Sequence, residues 1–238
     1  MSYVLEVKNL NKSYGNVTAV KDLSIAMKKG EIFGLLGANG AGKSTTIECI
    51  LGTKQPDSGT ISVLGMNPKT DRKKLFEEVG VQFQESNYQE KIKVWELCEL
   101  TASLYKNPAE YTQLLKQFGL EEKKKCMISE LSGGQKQRLF IILALIPNPK
   151  LVFLDELTTG LDTRARREVW KCLEQMKEKG LTVFLTSHYM DEVKNLCDRI
   201  LILKKGAIIF EGTVEGAIKE SPYDNLEEAY LWFTDEKV

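Results

Sequence analysis

The sequence predicts an α/β fold built on a largely parallel sheet, and two observations carry that reading. Three short, continuous apolar runs, at residues 32–36, 151–154 and 181–185, are bounded by polar residues, as expected of strands covered on both faces. Patterns of helical period alternate with them, the mark of strand–helix units rather than of a sandwich. Residues 32–36 read as a buried strand that runs into a glycine-rich loop, and residues 43–51 as the helix that follows. Gln55-Pro56-Asp57-Ser58-Gly59 is a turn signal, and residues 60–64 read as another strand. From about residue 85 to 149 the period is mostly helical, with Leu97, Leu100 and Leu104 on one face and Leu114, Leu115 and Phe118 on another. Gly119 is placed to cap the second of these helices. Residues 85–150 therefore read as a helical insertion between two parts of one α/β core, residues 1–84 and 151–238. The tail, residues 225–233, is again helical in period.

The chain has 238 residues, enough to bury a substantial core. Lys and Arg number 33, as do Asp and Glu, so the formal net charge is zero. That balance argues against nucleic acid as the main partner, which would favour a basic face. The short basic runs at 72–74 and 123–125 read as solvated surface. Five widely spaced cysteines, Cys49, Cys98, Cys126, Cys172 and Cys197, contain no C-x-x-C, which argues against a disulfide framework or a zinc site and fits reduced, mostly buried thiols in a cytosolic protein. The first ten residues lack the pattern of a secretory signal. The longest apolar run, 139–146, is far short of the roughly 20 residues needed to span a bilayer. The expectation is a cytoplasmic chain with no direct membrane insertion, whose membrane role would come through a partner.

Five sequence motifs suited to phosphate chemistry follow one another in order. Gly37-Ala38-Asn39-Gly40-Ala41-Gly42-Lys43-Ser44 fits G-x-x-x-x-G-K-[ST], with Thr45 next. The glycines let backbone N–H groups wrap a phosphate, and the following helix adds its positive end. Lys43 is expected to reach the β- and γ-phosphates and the Ser44 hydroxyl to bind Mg²⁺. Gln84 follows the apolar stretch around Val81. Ser132-Gly133-Gly134-Gln135 precedes an apolar helix beginning near Lys136. Locally it is a capping box, yet two consecutive glycines weaken a helix, and a bare helix N-terminus is a good anion site. Asp155 and Glu156 end the strand at 151–154, placing two carboxylates at the edge where ligands bind in open α/β sheets. Asp155 would hold Mg²⁺, and Glu156 would act as general base on the attacking water. His188, the only histidine, follows the strand at 181–185.

In this order the motifs resemble those of the ATP-binding subunit of ABC transporters, from about residue 3 to 233. Leu131-Ser132-Gly133-Gly134-Gln135 is similar to the family's signature, which is more specific than the phosphate loop. The resemblance implies a P-loop NTPase core with a mostly parallel sheet flanked by helices, an antiparallel β subdomain and a signature-bearing helical subdomain. It implies ATP and Mg²⁺ as ligands. It also implies a second ATP-binding subunit packed head to tail, so that Ser132, Gly133, Gly134 and Gln135 contact the γ-phosphate of ATP held by the partner, giving two composite sites. By position, Tyr14 corresponds to the aromatic residue that stacks on adenine and Gln84 to the glutamine that reaches Mg²⁺ and the water. Asp162, in Gly160-Leu161-Asp162, corresponds to the loop that crosses the dimer interface, and His188 to the histidine that contacts the γ-phosphate. One departure stands out. The family usually has proline after the catalytic glutamate, where this chain has Leu157, and leucine is expected to loosen the loop that holds Glu156.

Val79-Gly80-Val81-Gln82-Phe83-Gln84, the stretch at 186–190 and Asn225-Leu226-Glu227-Glu228-Ala229-Tyr230 resemble the drug- and export-type branch. Specificity would then lie in a separate membrane permease, docked near residues 84–104 with Trp95 as an anchor. An importer ATPase and a non-transport ABC ATPase are the alternatives. Importer subunits often carry longer C-terminal regulatory domains. Non-transport members tend to have two cassettes or a long coiled-coil insert, and here there is one signature and no heptad run.

Overall fold

The computed structural model describes residues 3–82 and 91–234. The chain divides into two compact units, Met1–Leu75 with Phe184–Val238, and Phe76–Val183.

The first unit opens with two twelve-residue strands, β1 (Tyr3–Tyr14) and β2 (Val17–Lys28), followed by β3 (Ile32–Gly37), α1 (Lys43–Ile50), β4 (Ser58–Val63) and the short α2 (Arg72–Leu75). Strands β2, β1 and β4 form an antiparallel sheet in that order, with Val7 opposite both Ile25 and Ile61. Its pattern is the alternation of a half-buried sheet: Leu5, Val7 and Leu10 on β1 and Val20, Leu23, Ile25 and Met27 on β2 are buried while residues between them are not. All six residues of β3 are buried. It pairs in parallel with β8 (Arg199–Lys204), Phe33 opposite Arg199 through Gly37 opposite Leu203, and β8 pairs antiparallel with β9 (Ala207–Gly212). Arg199 staples this edge: its guanidinium donates to Ala26 O at 3.0 Å and to the buried Glu31 at 3.1 Å, and pairs with Glu211. Helices α7 (Met190–Leu196), α8 (Val214–Glu220) and α9 (Leu226–Thr234) complete the unit, and Val193, Val214, Ala217 and Leu226 pack on Leu36, Ile200, Ile202 and Phe210. Strand β7 (Thr182–Thr186) crosses the division between the units and is buried throughout.

The second unit holds β5 (Val79–Gln82) and β6 (Leu151–Leu154), which pair in parallel with Gln82 opposite Leu154. Around them lie α3 (Val94–Ala102), α4 (Tyr111–Gln117), α5 (Gly133–Leu145) and α6 (Thr163–Glu178), with single 3₁₀ turns at Glu121–Lys123 and Ile128–Glu130. Helix α5 buries Leu139 and every residue from Ile141 to Leu145, so it is a core helix. Its approach to β5 is so close that a Cβ on Gly80 would lie 1.8 Å from Ala144 O.

Most elements fall where the sequence places them, and the differences have local causes. The helix after the phosphate loop ends at Ile50 and the strand expected at 60–64 runs Ser58–Val63. Helix α4 ends as expected: Gly119 takes φ +66° and Leu120 N donates to Leu115 O at 2.7 Å. The helix expected from Lys136 begins instead at Gly133, because Ser132 caps it. The expected Leu97–Leu100–Leu104 face does not form. Leu97 is buried, but α3 stops at Ala102, and Leu100 and Leu104 are 55% and 73% exposed.

Candidate active site

In the first unit, the phosphate loop links β3 to α1. Ala41 N donates to Ala38 O at 3.0 Å, closing the turn. Gly42 stands at the N-cap of α1 with φ +107°, and a Cβ there would lie 2.2 Å from Ala19 O, so only glycine fits. The loop is braced from outside by Gly206, whose N–H donates to Ala41 O at 2.9 Å and whose carbonyl accepts from Lys21 N at 2.8 Å. Helix α1 has no side-chain cap. Its first turn therefore presents backbone N–H groups as an anion site. Lys43, 8% exposed, bends back so that its ammonium donates to Gly37 O at 2.7 Å and Ala38 O at 3.1 Å. Asn39, Gly40 and Ser44 are exposed, Thr45 is half-buried, and a Cβ on Gly40 would meet nothing within 4 Å.

Tyr14, 45% exposed, ends β1. The Lys12 ammonium lies 5.3 Å from its ring centre and 2.9 Å from Asp57 Oδ1, and Asp57 Oδ2 accepts from Ser13 N at 2.6 Å. The hydrogen bond to Asp57 raises the Lys12 pKa, and the bonds from Lys12 and from Ser13 N hold the Asp57 carboxyl below the usual carboxylate range. His188 is exposed just past β7, and the next N–H, of Tyr189, donates to Ser187 Oγ at 3.0 Å.

In the second unit, the buried Asp155 directly follows β6. Its N–H donates to Gln82 O at 3.0 Å, and the Gln82 amide donates to Asp155 O at 3.1 Å. Glu156 follows with φ +51°, a left-handed conformation that is strained for a non-glycine residue, and Thr159 Oγ1 donates to its Oε2 at 3.4 Å. Leu157, in place of the family's proline, does not hang loose: its side chain is fully buried and its carbonyl accepts from Gln137 Nε2 at 2.8 Å. Proline anchors a chain by its ring; here a buried side chain and a hydrogen bond do so.

Ser132 caps α5, accepting from Gln135 N at 3.3 Å, and Gln135 Oε1 accepts from Ser132 N at 3.0 Å. Gly134 is tight: a Cβ would press Leu161 Cδ2 at 3.1 Å. Gly133 is not: a Cβ would meet nothing within 4 Å. Asp162 caps α6, accepting from Ala165 N at 2.9 Å. Gln84 lies outside the described residues. The phosphate loop, Tyr14 and His188 thus belong to one unit, and Asp155, Glu156, the Ser132–Gln135 segment and Asp162 to the other.

The donor types suit a hard cation. Ser44 offers a hydroxyl and Asp155 a carboxylate, and Mg²⁺ is commonly held by one or two such oxygens together with substrate phosphates and water. Among the described residues no cluster of three or more His, Cys, Asp or Glu could hold a metal by itself.

Lys12, Asp57 and Gln137 lie in stretches that the sequence marks, but nothing there shows what their side chains hold. Each acts on a residue it meets only through the fold: Lys12 and Asp57 are 45 positions apart, Gln137 and Leu157 are 20.

Comparison with known proteins identifies the family. The ABC transporter family profile matches residues 20–159. The Nod factor export ATP-binding protein I of Mesorhizobium japonicum is 40% identical over 222 residues, covering 91% of this chain and 65% of its own length. The linearmycin resistance ATP-binding protein of Bacillus subtilis is 41% identical over 217 residues, covering 88% and 69%. The chain thus spans about two-thirds of the length of these two relatives. Among solved structures, an ATP-binding subunit of an ABC transporter superposes with a TM-score of 0.88 at 29% identity, covering 97% of this chain and 99% of that one. A dimeric ATP-binding cassette bound to ADP and Pi superposes with a TM-score of 0.79 at 27% identity, covering 88% and 98%. The chain belongs to the ABC transporter family, as an ATP-binding and ATP-hydrolysing cassette.

Proposed function

We infer that this chain powers a membrane exporter, hydrolysing Mg-ATP at two composite sites of a head-to-tail dimer. The observation that carries the dimer is Gly133. Among the described residues nothing lies within 4 Å of where its Cβ would stand, and Gly133 opens the exposed N-terminus of α5. A bare, positively polarised helix start is what a partner's γ-phosphate would need.

In this reading Lys43 and the amides that open α1 bind the β- and γ-phosphates, and Tyr14 stacks on the adenine. Ser44, Asp155 and Gln84 would hold Mg²⁺, which supplies charge neutralisation on the phosphates. Glu156 takes a proton from the attacking water, and His188 steadies the charge on the γ-phosphate. Asp162 and its loop face the partner subunit.

Export is supported by relatives named for export and resistance. Among the described residues no helix is long and apolar enough to cross a membrane. The chain would therefore act at the cytoplasmic face through a permease. Trp95, Leu100 and Leu104, all exposed, offer that partner an apolar surface on and just beyond α3.

The test is ATPase activity and solution size with Mg-ATP for the wild type and Glu156→Gln. Turnover in the wild type, with an arrested ATP-bound dimer in the variant, supports the reading. Wild-type turnover in Glu156→Gln removes Glu156 as the base.

A further inference from the structure

Glu156 poses a mechanical problem. Its backbone is left-handed at φ +51°, a conformation that a residue bearing a Cβ rarely adopts. A carboxylate on such a hinge keeps its aim only if the surrounding backbone is held. One side chain reaches both carbonyls at the hinge: Gln137 Nε2 lies 2.8 Å from Leu157 O and 3.3 Å from Glu156 O. A primary amide carries two N–H donors, and two carbonyl acceptors fix which end of the amide faces them. Gln137 itself is half-buried, so these bonds are partly shielded from water.

Gln137 sits on α5 four residues beyond Gly133, on the same face one turn further in. One residue along from Gly133, Gly134 packs against Leu161, just past the same hinge. Helix α5 and the segment 156–161 are therefore joined at two points.

We propose that Gln137 is a positioning residue for hydrolysis: its amide holds the left-handed turn that aims the Glu156 carboxylate. This rests on Glu156 being the general base. Because Gln137 rides on the helix whose N-terminus grips the partner's ATP, it also ties the signature of one composite site to the carboxylate of the other.

The test uses Gln137→Met, close in length but without a donor, and Gln137→Glu. Steady-state ATPase is measured against ATP concentration from about pH 4.5 to 8.5, a window that reaches the ordinary glutamate range, with hydrogen exchange of the peptides spanning 155–161 and 37–45. In Gln137→Met, kcat falls about 10- to 100-fold while KM for ATP stays within twofold. Exchange speeds up in 155–161 and not in 37–45. In Gln137→Glu the carboxylate repels the two carbonyls at pH 8, and protonation restores one donor. Its rate relative to wild type therefore climbs as pH falls toward the ordinary glutamate range near 4.3. An unchanged kcat, a parallel change in KM, unchanged exchange at 155–161, or a pH-independent deficit in Gln137→Glu each overturns the proposal. The exchange readout decides even where turnover by the isolated chain is slow. Glu156→Gln, assayed alongside, separates the two ideas: wild-type turnover there removes the base assignment itself, whereas loss there with a silent Gln137→Met removes only the positioning role.

Discussion

The Lys12 ammonium lies over the Tyr14 ring at 5.3 Å while Asp57 grips it at 2.9 Å. One face of the ring is thus covered by a cation, and Tyr14 is 45% exposed. Tyr14→Leu is expected to raise KM for ATP about 3- to 10-fold with kcat nearly unchanged. Asp57→Asn, which loosens Lys12, is expected to raise it about two- to fivefold. Binding of inorganic tripolyphosphate, which has no base, should not change in either variant. Equal loss for both ligands would mean that Tyr14 does not contact adenine. The pH dependence has a definite sign. The Asp57 carboxyl is held below its ordinary value, so its grip is complete above the ordinary carboxylate range and is lost as pH falls through the lowered value.

Gly42 is the tightest point of the phosphate loop, with the Ala19 carbonyl 2.2 Å from where a Cβ would sit and φ at +107°. Gly42→Ala combines a backbone clash with a strained dihedral. Thermal melting should show a loss of about 5–15 °C, together with loss of ATP binding. Gly40→Ala, with open space around it, should lose only about 2–8 °C, less than Gly42→Ala, because only the dihedral is strained. Similar melting of the two variants would contradict this account of the loop.

Glu156→Gln should lose about 10²–10⁴ in kcat, the span of general acid–base catalysis. ATP affinity should hold, since the substitution keeps shape and removes one charge. Equilibrium dialysis with ATP beside a turnover assay checks both halves.

Asp162 does a structural job whatever its place in a dimer. It caps the sixteen-residue helix α6 through Ala165 N. Asp162→Ala should cost about 1 kcal/mol in denaturant unfolding, and Asp162→Asn close to nothing. A dimer defect in Asp162→Asn without a stability change would separate the interface role from the cap.

Burial pushes the Cys98 thiol up to about 12, and Cys49 is raised by the same cause. Both thiols stay neutral through pH 8, so thiolate reactivity in the folded chain is suppressed. Iodoacetamide at pH 8 followed by mass mapping should spare Cys49 and Cys98 until denaturant is added. Rapid labelling of either would show that its surroundings open.

Much of this was readable along the chain because it is local. A strand of six apolar residues, a glycine loop and an uncapped helix are neighbours in sequence, so 32–51 could be read directly. The Ser132–Gln135 capping box is equally local, and its reciprocal bonds are those the spacing implies. The paired strands Tyr3–Tyr14 and Val17–Lys28 leave a weaker mark, because register shifts along β1 break the strict alternation that would reveal them. The face expected at Leu97, Leu100 and Leu104 failed for a related reason: periodicity assumes that the helix continues, and α3 ends at Ala102.

By itself the sequence determined the fold class, the family and the order of the chemical groups, because each rests on residue types at short, fixed spacings. Only the tertiary structure decided what holds those groups in place. The Gln137 amide on the Leu157 carbonyl, Asp57 on Lys12, and the Ala19 carbonyl against Gly42 join residues 20 to 45 positions apart. Such contacts leave no period or motif in the sequence, since folding brings together any two positions whose surfaces fit, and the chain between them records nothing of the meeting.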